Sequence, residues 1–169
     1  FRKIRNVDNF CFISSIILEK LMLKNLAIIP VREGSKRFIN KNIQLFNNKP
    51  LLFANIKTAV NSRIFDKIII TSDSQKYLNL VKNNFRNKHL VYVLRPKNIS
   101  NDKSQSELAI NHAIKNYLNY DNIFMIQVTS PLLQKEDLIQ GFIKFEKEGL
   151  DSLFSCSISD KFYWNYKNK

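Results

Sequence analysis

From residue 26 onward, short apolar runs alternate with longer stretches whose apolar residues recur at helical spacing. Strand-like runs occupy 26–31 (LAIIPV), 67–72 (KIIITS), 90–94 (LVYVL) and 122–128 (NIFMIQV), and DSLFSCS at 151–157 opens a fifth. Between them the spacing predicts helices over 50–62, 74–85, 106–118 and 135–149. Pro50 suits a helix start, Ser74 an N-cap and Gly149 a helix stop. Strand and helix in alternation imply parallel strands joined by crossovers. Continuous apolar strands imply a sheet covered by helices on both faces. The expected fold is therefore a Rossmann-like α/β sandwich with a mostly parallel sheet. In such sheets ligands bind beyond the carboxyl ends of the strands. The segments there are the loop from Arg32, TSDS at 71–74, LRP at 94–96 and QVTSP at 127–131.

With 169 residues, 44% hydrophobic and 12% aromatic, the chain is long enough for one domain with a core. The net charge of +13 is spread over scattered lysines without a dense basic block, so it does not itself indicate nucleic acid. Cys11 and Cys156 lie far apart, as do His89 and His112. Neither zinc-ligand spacing nor a Cys–His nucleophile is present, and a reducing cytosol is the default compartment. Residues 1–24 begin with FRKIR and a short apolar run that is too short to cross a bilayer of ~20 residues. They read as an extension outside the main fold, with Met22 a natural start, and the domain as 25–169.

The loop AIIPVREGSKRFINKN, residues 27–42, carries Arg32, Lys36, Arg37 and Lys41 around Gly34, directly after a strand. Cations and backbone amides at a glycine-bearing turn share the charge of a polyphosphate. Neither the Walker spacing nor Gly-x-Gly-x-x-Gly occurs, which argues against an ordinary ATPase and an NAD enzyme. The alternative is a solvated basic loop.

This stretch resembles the opening motif of the acylneuraminate cytidylyltransferases, Ala-Arg-x-Gly-Ser-Lys-Arg followed by Lys-Asn. The likeness continues in order through NKPLLFANIKTAV, FDKIIITSDS, LRPKNISNDKSQSE and IQVTSPLL, over roughly residues 25–157. The resemblance implies a nucleotidyltransferase sandwich that transfers CMP from CTP to a sialic-acid-like nonulosonic acid and releases pyrophosphate, with magnesium as cofactor. It also implies a cytoplasmic homodimer that needs neither nucleic acid nor membrane. By the same likeness Arg32, Gly34, Ser35, Lys36 and Lys41 face the triphosphate, with Arg32 and Lys41 in catalytic roles. Asn42, Arg95 and Ser106 hold the nucleoside, and Gln127 lies toward the acceptor sugar. Asp73 either binds ligand or orients neighbouring loops.

Departures from the family pattern fall mostly on the acceptor side. Val128 stands for the usual proline, Leu133 for the usual arginine, and Lys103 and Gln105 for small residues. The family's metal-binding aspartates and dimerisation segment would lie beyond Lys169, so the metal ligands are not assigned and the domain reads as C-terminally incomplete. The rival sugar is 3-deoxy-manno-octulosonate, whose enzymes carry Gln-Gly-Asp where this chain has QVTS. A non-catalytic nucleotide-binding remnant is the alternative of a different class.

Overall fold

A computed structural model describes residues 23–34, 38, 40–100 and 106–156. The extension 1–22, Ser35, Lys36, Lys103, Gln105 and the segment after 156 lie outside the described residues.

Four strands form one sheet: β1 (Asn25–Val31), β4 (Lys67–Ser72), β5 (Leu90–Leu94) and β6 (Asn122–Met125). Their order is β5-β4-β1-β6, and every neighbouring pair is parallel. Four helices connect or follow them: α1 (Leu51–Ser62), α2 (Gln75–Asn84), α3 (Ser106–Ile114) and α4 (Lys135–Glu148). The alternation read from the sequence is therefore the fold's real connectivity.

Pleat alternation divides the sheet's side chains between two faces. Ala27, Ile29, Val31, Ile68 and Ile70 point to one face, where they meet Leu52, Ile56 and Ala59 of α1 and Tyr77, Leu78 and Val81 of α2. α4 closes the same side, where Phe124 stacks against Phe65 and Phe142 at 4.9 and 5.9 Å. Leu26, Ile28 and Ile69 point the other way, toward Ala113 and the half-buried Ile110 and Ile114 of α3. Helices cover both faces, but one of them far more thickly than the other. Among the described residues no helix is long and apolar enough to cross a membrane.

Local chemistry accounts for the element ends. The Ser74 hydroxyl accepts from the Tyr77 amide at 3.4 Å, capping α2. At α4 the Asp137 carboxylate accepts from the Gln134 amide at 2.9 Å, and Gly149 ends the helix at φ 59°. A small hairpin, β2 (Leu45–Phe46) with β3 (Lys49–Pro50), turns through Asn47 and Asn48 at φ 50° and 61°. Paired left-handed residues suit a two-residue hairpin turn, and asparagine tolerates them.

Three expectations need correction. Residues 151–156 are exposed and form no strand. Their apolar content supplies β-propensity, but a strand exists only where a ladder partner and a buried face are offered. α3 stops at Ile114 rather than 118, because the chain turns there, with the Tyr117 amide on the Ile114 carbonyl at 2.7 Å. β6 ends at Met125: the Ile126 amide still reaches the Ile28 carbonyl, but the chain then turns, with Ser130 N–H on the Gln127 carbonyl.

Arg63 follows α1 in the left-handed region at φ 57°. Arg63→Gly is expected to raise stability by up to about 1 kcal/mol, since glycine has no Cβ to strain there. A urea midpoint that rises at unchanged slope is the check.

Candidate active site

Parallel pairing puts the carboxyl ends of all four strands on one edge. Register makes the alignment closer still: Val31 pairs with Ser72, and Ser72 with Leu94. The next residues, Arg32, Asp73 and Arg95, therefore leave the sheet at one level, and Gln127 follows β6 at the same edge. β1 has β4 on one side and β6 on the other, and the connection to β6 runs over the opposite face through α3. That reversal puts the topological switch point beside the end of β1, where open α/β sheets bind ligands. The four helices return antiparallel to the strands, so their N-termini and positive dipole ends lie at this rim.

The basic loop is tied to this rim at three points. Asn42 is buried, and its Nδ2 donates to the Arg32 carbonyl at 2.8 Å, closing the loop across its base. Asp73 accepts the Glu33 amide through Oδ1 at 3.0 Å, joining the first loop to the end of β4. The Tyr77 hydroxyl donates to Asn40 Oδ1 at 3.3 Å, and Asn40 itself sits at φ 54°. Burial raises the Tyr77 phenol pKa, with Glu33 and then Asp73 adding to the shift, so the hydroxyl keeps its proton. Lys41 begins a single 3-10 turn, Lys41–Ile43, and is half-buried.

Arg95 is 5% exposed, unusual for a guanidinium. Its Nε donates to Ser100 Oγ at 2.7 Å and its Nη1 to the Thr71 carbonyl at 2.9 Å, and its own amide bonds the Ser72 carbonyl. Burial lowers its pKa most, while the nearby Asp73 carboxylate opposes the shift and the Arg32 cation adds to it. Arg32, Asp73 and Arg95 thus share one electrostatic neighbourhood.

Ser106 is the first residue of α3 and is exposed. Gln127 is exposed in the loop after β6, and the Thr129 hydroxyl donates to its Oε1 at 3.3 Å. Val128 and Leu133, the two departures in this loop, turn inward: Val128 is buried in the main core and Leu133 packs against it. Glu33, Asn40, Tyr77 and Asn55 were not singled out from the sequence. A signal existed for Asn55, a polar residue on the apolar stripe of α1, buried to 1% exposure. Among the described residues no three His, Cys, Asp or Glu side chains gather to hold a metal.

A family model described as cytidylyltransferase matches residues 26–165. The chain belongs to the cytidylyltransferase family. It is 36% identical over 156 residues to a pseudaminic acid cytidylyltransferase of Campylobacter jejuni serotype O:23/36, covering 87% of this chain and 66% of that protein. It is also 36% identical over 118 residues to the N-acylneuraminate cytidylyltransferase of Escherichia coli O18:K1:H7, covering 70% of this chain and 27% of that one. The chain thus spans just under two thirds of the first relative and about a quarter of the second. Among solved structures, a CMP:2-keto-3-deoxy-manno-octonic acid synthetase complexed with CTP superposes with a TM-score of 0.60 at 14% identity, over 75% of this chain and 48% of that one. A Leptospira borgpetersenii cytidylyltransferase gives 0.58 at 18% identity, over 74% and 50%. These likenesses establish the nucleotidyltransferase sandwich fold expected from the sequence.

Because Asn42 closes the loop base, Asn42→Ala is expected to destabilise the domain by about 1 kcal/mol. Hydrogen exchange should accelerate across residues 32–44 and stay unchanged in α4, a contrast that mass spectrometry of peptic fragments reads directly.

Proposed function

We propose that the parent protein transfers CMP from CTP to a nonulosonic acid, and that this domain holds the nucleotide. The observation that carries the reading is the family match over 26–165, joined by relatives named for pseudaminic and N-acylneuraminic acids at 36% identity. Relatives named for either acid share 36% identity with the chain over the stretches they match, so the acceptor class is nonulosonic acid rather than one member of it. The 2-keto-3-deoxy-manno-octonic acid synthetase is similar in fold alone, at 14% identity.

In this reading the acceptor's anomeric hydroxyl oxygen attacks the α-phosphorus of CTP. The bond from that phosphorus to the bridging oxygen breaks, pyrophosphate leaves, and the hydroxyl proton passes to solvent. Such a transfer depends on alignment and on neutralising charge at the phosphoryl and leaving groups. Arg32 and Lys41 supply that neutralisation, with Ser35, Lys36 and the backbone at Gly34 cradling the triphosphate. Asn42, Arg95 and Ser106 lie on the nucleoside side and Gln127 on the acceptor side. For Arg95 the reading is supported by a rigid guanidinium whose Nε and Nη1 are already engaged, so that it holds the β4 and β5 ends that shape the pocket. Asp73 acts by orienting the loops, through the Glu33 amide.

Magnesium is the expected cation for triphosphate chemistry and takes one or two carboxylates beside phosphate oxygens. The described residues do not fit it well: Asp73 has one oxygen engaged, and no acidic cluster accompanies it. The reading further places the protein in the cytosol, a reducing compartment suited to the exposed Cys156, and in a homodimer.

Pyrophosphate release by the intact protein, measured with each NTP and a panel of sugar acids, tests the activity. Release that requires CTP and a nonulosonic acid is expected. Release with 3-deoxy-manno-octulosonate instead, or none with any acid, overturns the proposal. Gly34 offers a separate probe of the loop. A Cβ built there meets no described atom within 4 Å, and Gly34 is not among the residues at positive φ. Gly34→Ala should therefore leave stability within about 0.5 kcal/mol. If the triphosphate lies against this backbone, CTP affinity should fall about tenfold or more. Calorimetric titration beside a thermal melt separates the two effects.

A further inference from the structure

Helix α1 holds the loop after β6 with two side chains. Asn55 Nδ2 donates to the Ser130 carbonyl at 2.9 Å, and Thr58 Oγ1 donates to the Leu133 carbonyl at 3.0 Å. Positions three apart share one helix face, so the two contacts stand one turn from each other. The Ser130 carbonyl also accepts the Leu133 amide, and the Ser130 amide reaches the Gln127 carbonyl. Two successive turns of the loop are thus fastened to one helix, with Val128 buried beneath them.

Neither side chain is at rest in an ordinary helical role. A helical threonine commonly bonds a carbonyl of its own preceding turn. Thr58 reaches another segment instead. Asn55 is almost wholly buried, and its Oδ1 finds no described partner. A polar group held inside at that cost requires a return, and the bond to Ser130 is the one present.

The other end of α1 belongs to the nucleotide side. The Leu51 amide bonds the Gln44 carbonyl at 2.8 Å, directly after the 3-10 turn that carries Lys41 and Asn42. From Leu51 to Asn55 the helix rises only about 6 Å. We infer that Asn55 and Thr58 are positioning residues that make α1 a rigid spacer between the nucleotide loop and the acceptor loop bearing Gln127. The inference rests on the proposed activity for its functional consequence, and on the observed bonds for its structural part. Two reactants held by one stiff element keep their separation without loop ordering at each turnover, and small misplacements are costly in rate.

The test uses Thr58→Val, which removes the hydroxyl at nearly constant shape, with Thr58→Ser as the variant that keeps it, and Asn55→Ala as a harsher third. In the intact protein Thr58→Val should raise the acceptor KM about tenfold, the loss of roughly one hydrogen bond. The KM for CTP should stay within about twofold, a change too small to represent a lost bond. Thr58→Ser should restore the wild-type acceptor value. In parallel, amide exchange of the peptide covering 127–134 should accelerate in Thr58→Val and recover in Thr58→Ser. An unchanged acceptor KM despite faster exchange overturns the positioning role, as does an equal rise in both KM values. If the wild-type protein turns over no acid, the proposed activity fails and exchange alone judges the spacer. Unaltered exchange in Thr58→Val then overturns it.

Discussion

Every feature of the rim depends on β1 being paired on both sides. It is the strand from which the sheet runs outward in two directions, to β4 and β5 one way and to β6 the other. Leu26 to Ile29 are fully buried, which leaves no register in which the strand could slip without moving apolar side chains to the wrong face. Because its partners are parallel, the loop after β1 must emerge beside the loops after β4 and β5. The Arg95 amide on the Ser72 carbonyl, and the Glu33 amide on Asp73, extend that alignment past the strands themselves. The two described ends of the basic loop, Arg32–Gly34 and Asn40–Asn42, are therefore held at the point where the sheet's connectivity reverses.

Much of this was legible because its causes are local. Apolar runs rich in isoleucine and valine, bounded by Asn, Ser and Asp, mark strands, and β4 and β5 match the expected bounds residue for residue. Ser74 and Gly149 punctuate helices through their own side chain or its absence, which again needs no tertiary information. The failures share a different cause. Whether 151–156 pairs, where β6 leaves the ladder, and whether Asn55 meets a carbonyl all depend on a segment distant in sequence. The Asn47–Asn48 turn is an intermediate case: the pair is a hairpin signal, but two-residue strands are too short to announce themselves by alternation. For the site, the sequence pointed to the strand ends, and Arg32, Asp73, Arg95 and Gln127 do emerge there. The sequence did not indicate that Asn42 spends its amide on the loop's own backbone, or that Arg95 is almost entirely buried.

The departures in the loop after β6 acquire a reason from the packing. A proline at 128 would supply stiffness, and an arginine at 133 would supply charge. Val128 and Leu133 supply neither, and both face the apolar core instead. The loop is then fastened from below by hydrophobic contact and from the side by Asn55 and Thr58. Its shape is set without the family's usual residues, and its exposed polar side chains are Gln127, Thr129, Ser130 and, at the start of α4, Gln134. The exposed part of this loop presents hydroxyls and amides in place of a guanidinium.

Charge at the rim follows from the same economy of local contacts rather than from the net +13 of the chain. Scattered lysines on a solvated surface act through water and are screened beyond about 10 Å at 0.1 M salt. Arg95 is different: removed from solvent, its charge is felt more strongly, and desolvation is the main reason its pKa falls. Asp73 offsets part of that cost while Arg32 adds to it, and Glu33, next to Arg32, sets a second carboxylate among the two guanidinium groups. The charge balance left at the end of β1 is therefore close to even among these four groups before any lysine is counted. It is held by residues whose hydrogen bonds leave them little freedom to move, with Arg95 bound to Thr71 and Ser100 and Asp73 bound to Glu33. Donors preorganised in this way need no reorganisation when a ligand arrives, which is the electrostatic condition a phosphoryl transfer requires.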